Sequence, residues 1–329
     1  MSFSFDWANL AFGSKKPLKD LKATFIAAPR ELSAQRFTQL VKALLPETNL
    51  LVGLAKEKFV VGFEGQPQFL TLQHDNIKSV IDKVNSSSSK HKIYTLQYAQ
   101  PELSYILDKV TFPLVILVNG SWQYSFHTSK PYYQLANQQA AFAFVSPFVD
   151  QAEAQAYQVY RGKEIATLWP LPKANSLISE TEMMAAADIA AKYSYDYSYQ
   201  TGLAVGKKQG QRYRFLAAAH NVVVPYETYA LHHGNSREIH LSPPHDLNHY
   251  DTVHAEVELL LLAIKQGIKL KGASIFINLL PCPTCARVLA DSDISEIVYQ
   301  ADHSEGYAVH MLEAAGKHVR RLVLDPPKY

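Results

Sequence analysis

The two cysteines of this chain stand three residues apart and constrain it more than any other feature. Cys282 and Cys285 lie in the segment LPCPTCARV, and no other cysteine occurs among the 329 residues. So close a pair cannot join distant parts of a fold, and in a reducing compartment a C-x-x-C pair is typical of metal or redox chemistry. The pair therefore predicts a metal site or a redox dithiol, with two incidental buried thiols as the plainer alternative.

The rest of the composition fits an ordinary soluble globular chain, with 47% hydrophobic residues, 19% charged residues and a net charge of +2. The most apolar run, VELLLLAI, is too short to span a bilayer and contains a glutamate. The first residues lack the pattern of a signal peptide. We therefore expect a cytoplasmic location and no membrane partner. From Glu180 onward the chain is mildly acidic, which makes nucleic acid a less favoured partner.

Residues 1–165 alternate between strand-like and helix-like segments, which predicts an N-terminal α/β domain with some parallel pairing. Ser33 is the expected cap of a helix. The segments NLLVGLAKEKFVVGF and PQFLTL are predicted as strands. No glycine-rich phosphate loop follows the first strand, in FIAAPREL. Nothing in this half of the sequence indicates an activity.

A proline-rich stretch at 169–177 marks the expected boundary with a second domain, residues 166–329. Ser179 and Glu182 form a capping box at the start of a helix. Two strands follow, then a helix from about Val253, and then three strands alternating with helices. This order predicts a five-stranded sheet sandwiched by helices.

A zinc ion bound by two thiolates needs a further ligand, and His254 is the strongest candidate. His254 opens a predicted helix, and Cys282 and Cys285 share one face of another, with Pro281 expected at its first position. Three protein ligands leave a fourth position open for water. Glu256, two residues after His254, is then placed to move protons as a general base.

The pattern H-A-E followed by P-C-x-x-C is the signature of the zinc-dependent cytidine deaminase superfamily. Residues 179–324 resemble its deoxycytidylate (dCMP) deaminase branch, in YSYDYSYQTGLAVG, in AHN, and from GASIFINLLPCPTCARVLADSDISEIVY to MLEAAGKHVRRL. The resemblance implies a three-layer α/β/α domain with a five-stranded mixed sheet whose last strand is parallel to its neighbour. It also implies one catalytic zinc and contact between Asn221 and the substrate.

This resemblance predicts hydrolytic deamination of a cytosine nucleoside or nucleotide, dCMP-like by preference, to the uracil product with release of ammonia. Homo-oligomers are common in the family. Two alternatives remain open. One is another substrate: adenosine in tRNA, guanine, or cytosine in single-stranded nucleic acid. The other is a zinc-stabilised regulatory scaffold without catalysis. A second metal site among the loop histidines is a weaker hypothesis; these histidines are 232, 233, 240, 245 and 249.

Overall fold

The computed structural model describes residues 11–12, 17–119, 130–234, 252–302 and 305–323. Its contacts divide the chain into two compact units. The first comprises residues 1–157 and 228–249, and the second comprises residues 158–227 and 250–329. No helix within the described ranges has the length and apolar character needed to cross a bilayer.

The first unit contains a six-stranded sheet flanked by helices. Its strands are β1 (Ala11–Phe12), β2 (Ala23–Ala27), β3 (Asn49–Ala55), β4 (Ile93–Tyr98), β5 (Val115–Val118) and β6 (Phe142–Val145). Its helices are α1 (Ala34–Leu44), α2 (His74–Ser86), α3 (Leu103–Lys109) and α4 (Lys130–Asn137), followed by α5 (Gln151–Leu168), within which the unit boundary falls, and α7 (Tyr229–His233).

The strand order is β1-β4-β3-β2-β5-β6. All neighbouring pairs are parallel except β1 with β4. Helices α1 and α2 pack on one face, around Phe37 and Ile77, and helices α3 and α4 cover the other, around Ile106 and Leu135. The expected α/β layer with parallel pairing is present, and the Ser33 side chain accepts the predicted capping bond from the backbone N–H of Arg36, at 3.0 Å.

The strand prediction beyond Ala55 was wrong. Residues 56–66 contain only an isolated antiparallel bridge, between Phe59 and Leu70, and Pro67–Phe69 form a 3₁₀ helix instead of a strand. The side chain of Gln100 explains the difference. Its carbonyl oxygen accepts from the backbone N–H of Val61 at 3.1 Å, and its amide donates to the carbonyl oxygen of Phe59 at 2.8 Å. These bonds satisfy polar backbone groups that would otherwise need a neighbouring strand.

The second unit contains a mixed sheet with the order β14-β13-β12-β8-β9-β7. Its strands are β7 (Leu177–Ile178), β8 (Gly202–Gln209), β9 (Arg212–His220), β12 (Ser274–Leu279), β13 (Glu296–Ala301) and β14 (His318–Arg321). A separate two-stranded ladder joins β10 (Val222–Val223) to β11 (Thr252–Val253). Its helices are α6 (Glu180–Ala191), α8 (Ala255–Gln266), α9 (Pro283–Ala290) and α10 (Tyr307–Ala314).

Helices on both faces of this sheet make the second unit a three-layer α/β/α domain, the architecture that the resemblance implies. Helix α6 packs on one face, where Met183 and Met184 meet Phe276. Helices α8, α9 and α10 cover the other face, around Leu259 and Leu289. The five predicted strands are present, and the last is parallel to its neighbour. The two-residue strand β7 adds a sixth at the edge, antiparallel to β9.

Candidate metal centre and active site

Two helix starts bring the predicted metal ligands together. His254 is the N-cap of α8 and Cys282 is the N-cap of α9. The Cys282 sulfur accepts from the backbone N–H of Cys285 at 3.4 Å. Because Cys282 is the cap, Pro283 occupies the first helical position, and the expectation for Pro281 was wrong. Helix α8 likewise begins two residues later than the expected Val253.

The three ligand atoms lie at distances that suit a tetrahedral zinc ion. His254 Nδ1 is 3.5 Å from Cys282 Sγ and 3.3 Å from Cys285 Sγ, and all three atoms lie within 4.8 Å of one another. Typical zinc–sulfur and zinc–nitrogen bond lengths at a tetrahedral angle give a separation of about 3.6 Å between the two kinds of ligand atom. Among the residues that the structure describes, these three make up the one such group of metal-binding side chains.

The protonation of these side chains also favours a cation. Hydrogen bonds from Cys285 and His254 lower the pKa of the Cys282 thiol to about 3 against the effect of burial. The pKa of Cys285 is raised by its bond to Cys282 and by burial. The pKa of His254 is raised, chiefly by its bond to Cys282. Without a metal ion, the three side chains therefore share protons among themselves. A divalent cation would replace those protons, because it binds cysteine as the thiolate and histidine as the neutral imidazole.

Glu256 lies beside these ligands but outside the group of three. It is in the first turn of α8 and is 3% exposed. Burial raises the pKa of Glu256. The charge of His254 lowers this pKa, and the charge of Cys282 raises it. A buried carboxylate next to a thiolate is costly without a positive partner, so a cation held by the three ligands would also offset the charge of Glu256.

Asn221 and His254 lie at the same end of the two-stranded ladder. Val222 pairs with Val253, so Asn221 directly precedes β10 and His254 directly follows β11. The Asn221 carboxamide accepts from the backbone N–H of Thr201 at 2.9 Å and donates to the carbonyl oxygen of Tyr199 at 2.8 Å. One of its N–H bonds remains for another partner. Its contact with substrate stays a prediction.

Two polar side chains that the sequence analysis missed hold the backbone around this site. Asn278 accepts from the N–H of Gly202 at 3.0 Å and donates to the carbonyl oxygen of Gln200 at 2.9 Å. Asp196 accepts from the hydroxyl of Thr252 at 2.8 Å, two residues before His254. The available signals were an asparagine within an apolar strand and an aspartate within the tyrosine-rich segment 193–199.

Of the loop histidines, His232 and His233 lie in α7, where His232 Nδ1 is 2.6 Å from the hydroxyl oxygen of Ser146. The other three lie outside the described residues, so the second-metal hypothesis stays a prediction.

Comparison with known proteins gives this geometry a family. The model of the MafB19-like deaminase family matches residues 185–324, a range that contains all three ligands and Glu256. This match supports the resemblance of residues 185–324 to the cytidine and deoxycytidylate deaminase superfamily.

Two phage proteins named as deoxycytidylate deaminases also match part of this chain. Deoxycytidylate deaminase of Enterobacteria phage T2 is 29% identical over 85 residues, covering 24% of this chain and 45% of that protein. The phage T4 enzyme is 35% identical over 60 residues, covering 18% and 31%. The match thus spans less than half of each curated relative. The dCMP deaminase of cyanophage S-TIM5, solved with dCMP and dUMP, has 18% identity, a TM-score of 0.35, and coverage of 44% of this chain and 96% of that one.

Proposed function

We propose that the deaminase domain is a zinc-dependent hydrolase that converts a cytosine nucleotide or nucleoside, dCMP first among them, to the uracil product and ammonia. The observation that carries the proposal is the convergence of His254, Cys282 and Cys285 beside the buried, non-ligating Glu256. The naming of two phage relatives as deoxycytidylate deaminases supports the choice of substrate. We propose residues 166–329 as this domain and residues 1–165 as a preceding α/β domain; by its contacts, the segment 228–249 groups with the first unit.

His254, Cys282 and Cys285 would hold the zinc, which when bound supplies Lewis-acid activation of a water molecule. The starts of two helices fix the positions of these ligands. His254 is the N-cap of α8, Cys282 is the N-cap of α9, and Cys285 lies in the first turn of α9. Three protein ligands distinguish this set from a closed four-ligand structural site.

Glu256 is the proposed proton carrier. Its carboxylate accepts a proton from the attacking water and delivers it to ring nitrogen N3 as oxygen bonds to C4. A second proton then passes from the new hydroxyl group through Glu256 to the amino group. The C4–N bond breaks, ammonia leaves, and a carbonyl remains at C4. Burial keeps bulk water from competing for these protons, and the first turn of α8 holds the carboxylate next to His254.

Asn221 is the proposed substrate contact. Its carboxamide is held by Thr201 and Tyr199, so its orientation is fixed before any ligand arrives. The remaining N–H would donate to the sugar or base of the substrate. Because this donor is already held in place, little side-chain conformational entropy is lost when the substrate binds.

The deciding experiment is a chromatographic product screen with full-length protein of measured zinc content. The substrates are cytosine, cytidine, deoxycytidine, CMP, dCMP and dCTP, with single-stranded DNA, tRNA and guanine as alternatives. We expect uracil product from a mononucleotide or nucleoside, and Glu256→Ala should lose it while keeping zinc. Glu258→Ala is the matched control, because Glu258 lies in the same first turn and belongs to no metal group in the described chain.

Two results would contradict this proposal. One is a protein without zinc and without product from any cytosine compound. The other is undiminished turnover in Glu256→Ala. Activity on polynucleotide alone would keep the chemistry and replace the substrate, whereas zinc without activity on any substrate would indicate a scaffold.

A further inference from the structure

The sheet of the first unit has the topology of a ligand-binding domain. From β2 the chain moves outward through β3 and β4, then returns to the other side of β2 for β5 and β6. All five strands are parallel. In open parallel sheets of this order, ligands bind outside the carboxyl ends of the strands, near the point where the order reverses. The described loops at that edge are those that follow β2, β3 and β6.

Arg30 lies at this edge, three residues after the end of β2, and its side chain is unusual. Its exposed fraction is 0%, and it is the largest fully buried side chain in the described chain. None of its three nitrogen atoms has a hydrogen-bond partner in the described part of the protein. Its guanidinium carbon lies 5.6 Å from the ring centre of Phe69 and 5.9 Å from that of Tyr157.

The aromatic contacts do not account for the buried charge. A guanidinium keeps its charge under all conditions in which a protein is folded. The free energy gained from two cation–π contacts is smaller than the desolvation free energy of an unpaired charge with five N–H donors. The neighbouring carboxylate of Glu31 does not supply the missing partner, since it accepts from the hydroxyl of Tyr157 at 2.8 Å and from the amide of Asn76 at 3.4 Å.

The chemistry of the missing partner follows from the donors. A guanidinium matches an oxyanion through two parallel N–H bonds, which a halide or a neutral ligand cannot reproduce. The first βα loop, APREL, has none of the glycines that bring backbone N–H groups to a phosphate, and Pro29 has no N–H at all. An arginine side chain would therefore do here what a glycine-rich backbone does in other domains of this topology.

We propose that the first unit binds a small molecule through an oxyanion group, a phosphate or a carboxylate, that pairs with Arg30. The aromatic rings of Phe69 and Tyr157 hold the guanidinium in place for this contact. The proposal is independent of the deaminase reaction, because every residue it uses belongs to the first unit.

The test is thermal unfolding and calorimetric titration of the full-length protein with two sets of probes. The phosphate set is inorganic phosphate, AMP, ATP and dCTP, and the carboxylate set is succinate and citrate. We expect at least one probe to raise the melting temperature and to bind, and the responding set identifies the group. The same titration on Arg30→Met separates this site from the deaminase centre, because that variant changes no residue of the centre.

Arg30→Met removes the charge and keeps the length of the side chain, and should weaken binding of that probe by about 10- to 100-fold, the usual value of a charge-assisted hydrogen bond. Without probe it should melt at or above the wild-type temperature, because an unpaired charge has been removed. Lys42→Met, at an exposed position of α1, is the control and should change neither.

Two outcomes contradict the proposal. One is the absence of a response to every probe. The other is a binding constant unchanged in Arg30→Met. If Arg30→Met does not fold, Arg30→Lys replaces it: the charge is kept and the paired donors are lost, so affinity should fall about tenfold, and an unchanged affinity is contradictory. A purely structural Arg30 would instead show a lower melting temperature in Arg30→Met and no ligand response.

Discussion

In the second unit, the ion pairs of Arg320 in the edge strand β14 have a cost of removal that can be calculated. Arg320 donates two bonds to Glu180 in the first turn of α6, one of them at 2.9 Å, and a third to Glu296 in β13, also at 2.9 Å. The Arg320 side chain is 28% exposed, whereas that of Glu296 is 9% exposed. Arg320→Met therefore leaves a nearly buried carboxylate without its guanidinium partner, with the exposed imidazole of His318 at 3.3 Å as its remaining basic neighbour.

Removing one partner of a fully buried ion pair lowers the free energy of unfolding by about 3–5 kcal/mol. Because Arg320 and Glu180 are partly exposed, we expect about 2–3 kcal/mol here. For a domain of this size that corresponds to a fall of about 5–10 °C in melting temperature. Calorimetry measures it, and Arg321→Met is the matched control, because its exposed guanidinium makes one bond, to the carbonyl oxygen of Gln300. Equal melting temperatures for the two variants would refute the reasoning.

The same group gives a pH dependence with a definite sign. Burial acts to raise the pKa of Glu296, but hydrogen bonds from Ser274 and Arg320 outweigh it and hold the value below the usual range. A lowered folded-state pKa contributes stability above the unfolded value, about pH 4.3, that is lost as pH falls through the folded value. In Arg320→Met the folded-state pKa of Glu296 should rise, so this group should lose less stability than in the wild type as the pH falls below about 4.3, and the difference in melting temperature between the two proteins should narrow. The double variant Arg320→Met/Glu296→Gln should recover part of the loss at neutral pH.

Three further predictions concern packing, capping and metal. Gly202→Ala should destabilise by about 3 kcal/mol or more in urea unfolding, because its Cβ would lie 2.2 Å from backbone atoms of α6, whereas Gly162→Ala, with open space around it, should be neutral or stabilising by up to about 1 kcal/mol. Ser179→Ala should cost about 1 kcal/mol in the same assay, since it removes the oxygen that accepts from the N–H of Glu182. Treatment with a zinc chelator should lower the melting temperature of the wild type, with recovery on adding zinc, and should leave that of Cys282→Ser unchanged.

Much of the second unit was predictable from short segments of sequence, because helix caps and helix starts are set by interactions between residues close together in the chain. The capping box of Ser179 and Glu182 forms with both of its bonds, at 2.6 and 3.2 Å. The spacing of Cys282 and Cys285 places both sulfurs at a helix start, as expected. The convergence of His254 with them was also predicted, from the need of a zinc ion for a further ligand and then from the resemblance to a known family, since a separation of 28 residues carries no geometry by itself.

Features that depend on distant contacts were not predictable. An apolar stretch after Ala55 looks like a strand, but Gln100, far along the chain, satisfies its backbone and leaves it a loop. Asn278 and Asp196 are ordinary polar residues until the fold brings Gly202 and Thr252 to them.

The burial of Arg30 gave no signal in the sequence, because arginine at the end of a strand is usually exposed. Its missing partner becomes visible only once the surrounding rings are placed.

X-ray absorption at the zinc edge of the purified full-length protein tests the account most directly. We predict two sulfur ligands at about 2.3 Å and two nitrogen or oxygen ligands at about 2.0–2.1 Å, one of them the imidazole of His254 and the other a water. Cys285→Ser should lose one sulfur from this shell. A protein that takes up no zinc, or a zinc shell that is unchanged in Cys285→Ser, would contradict the proposed centre.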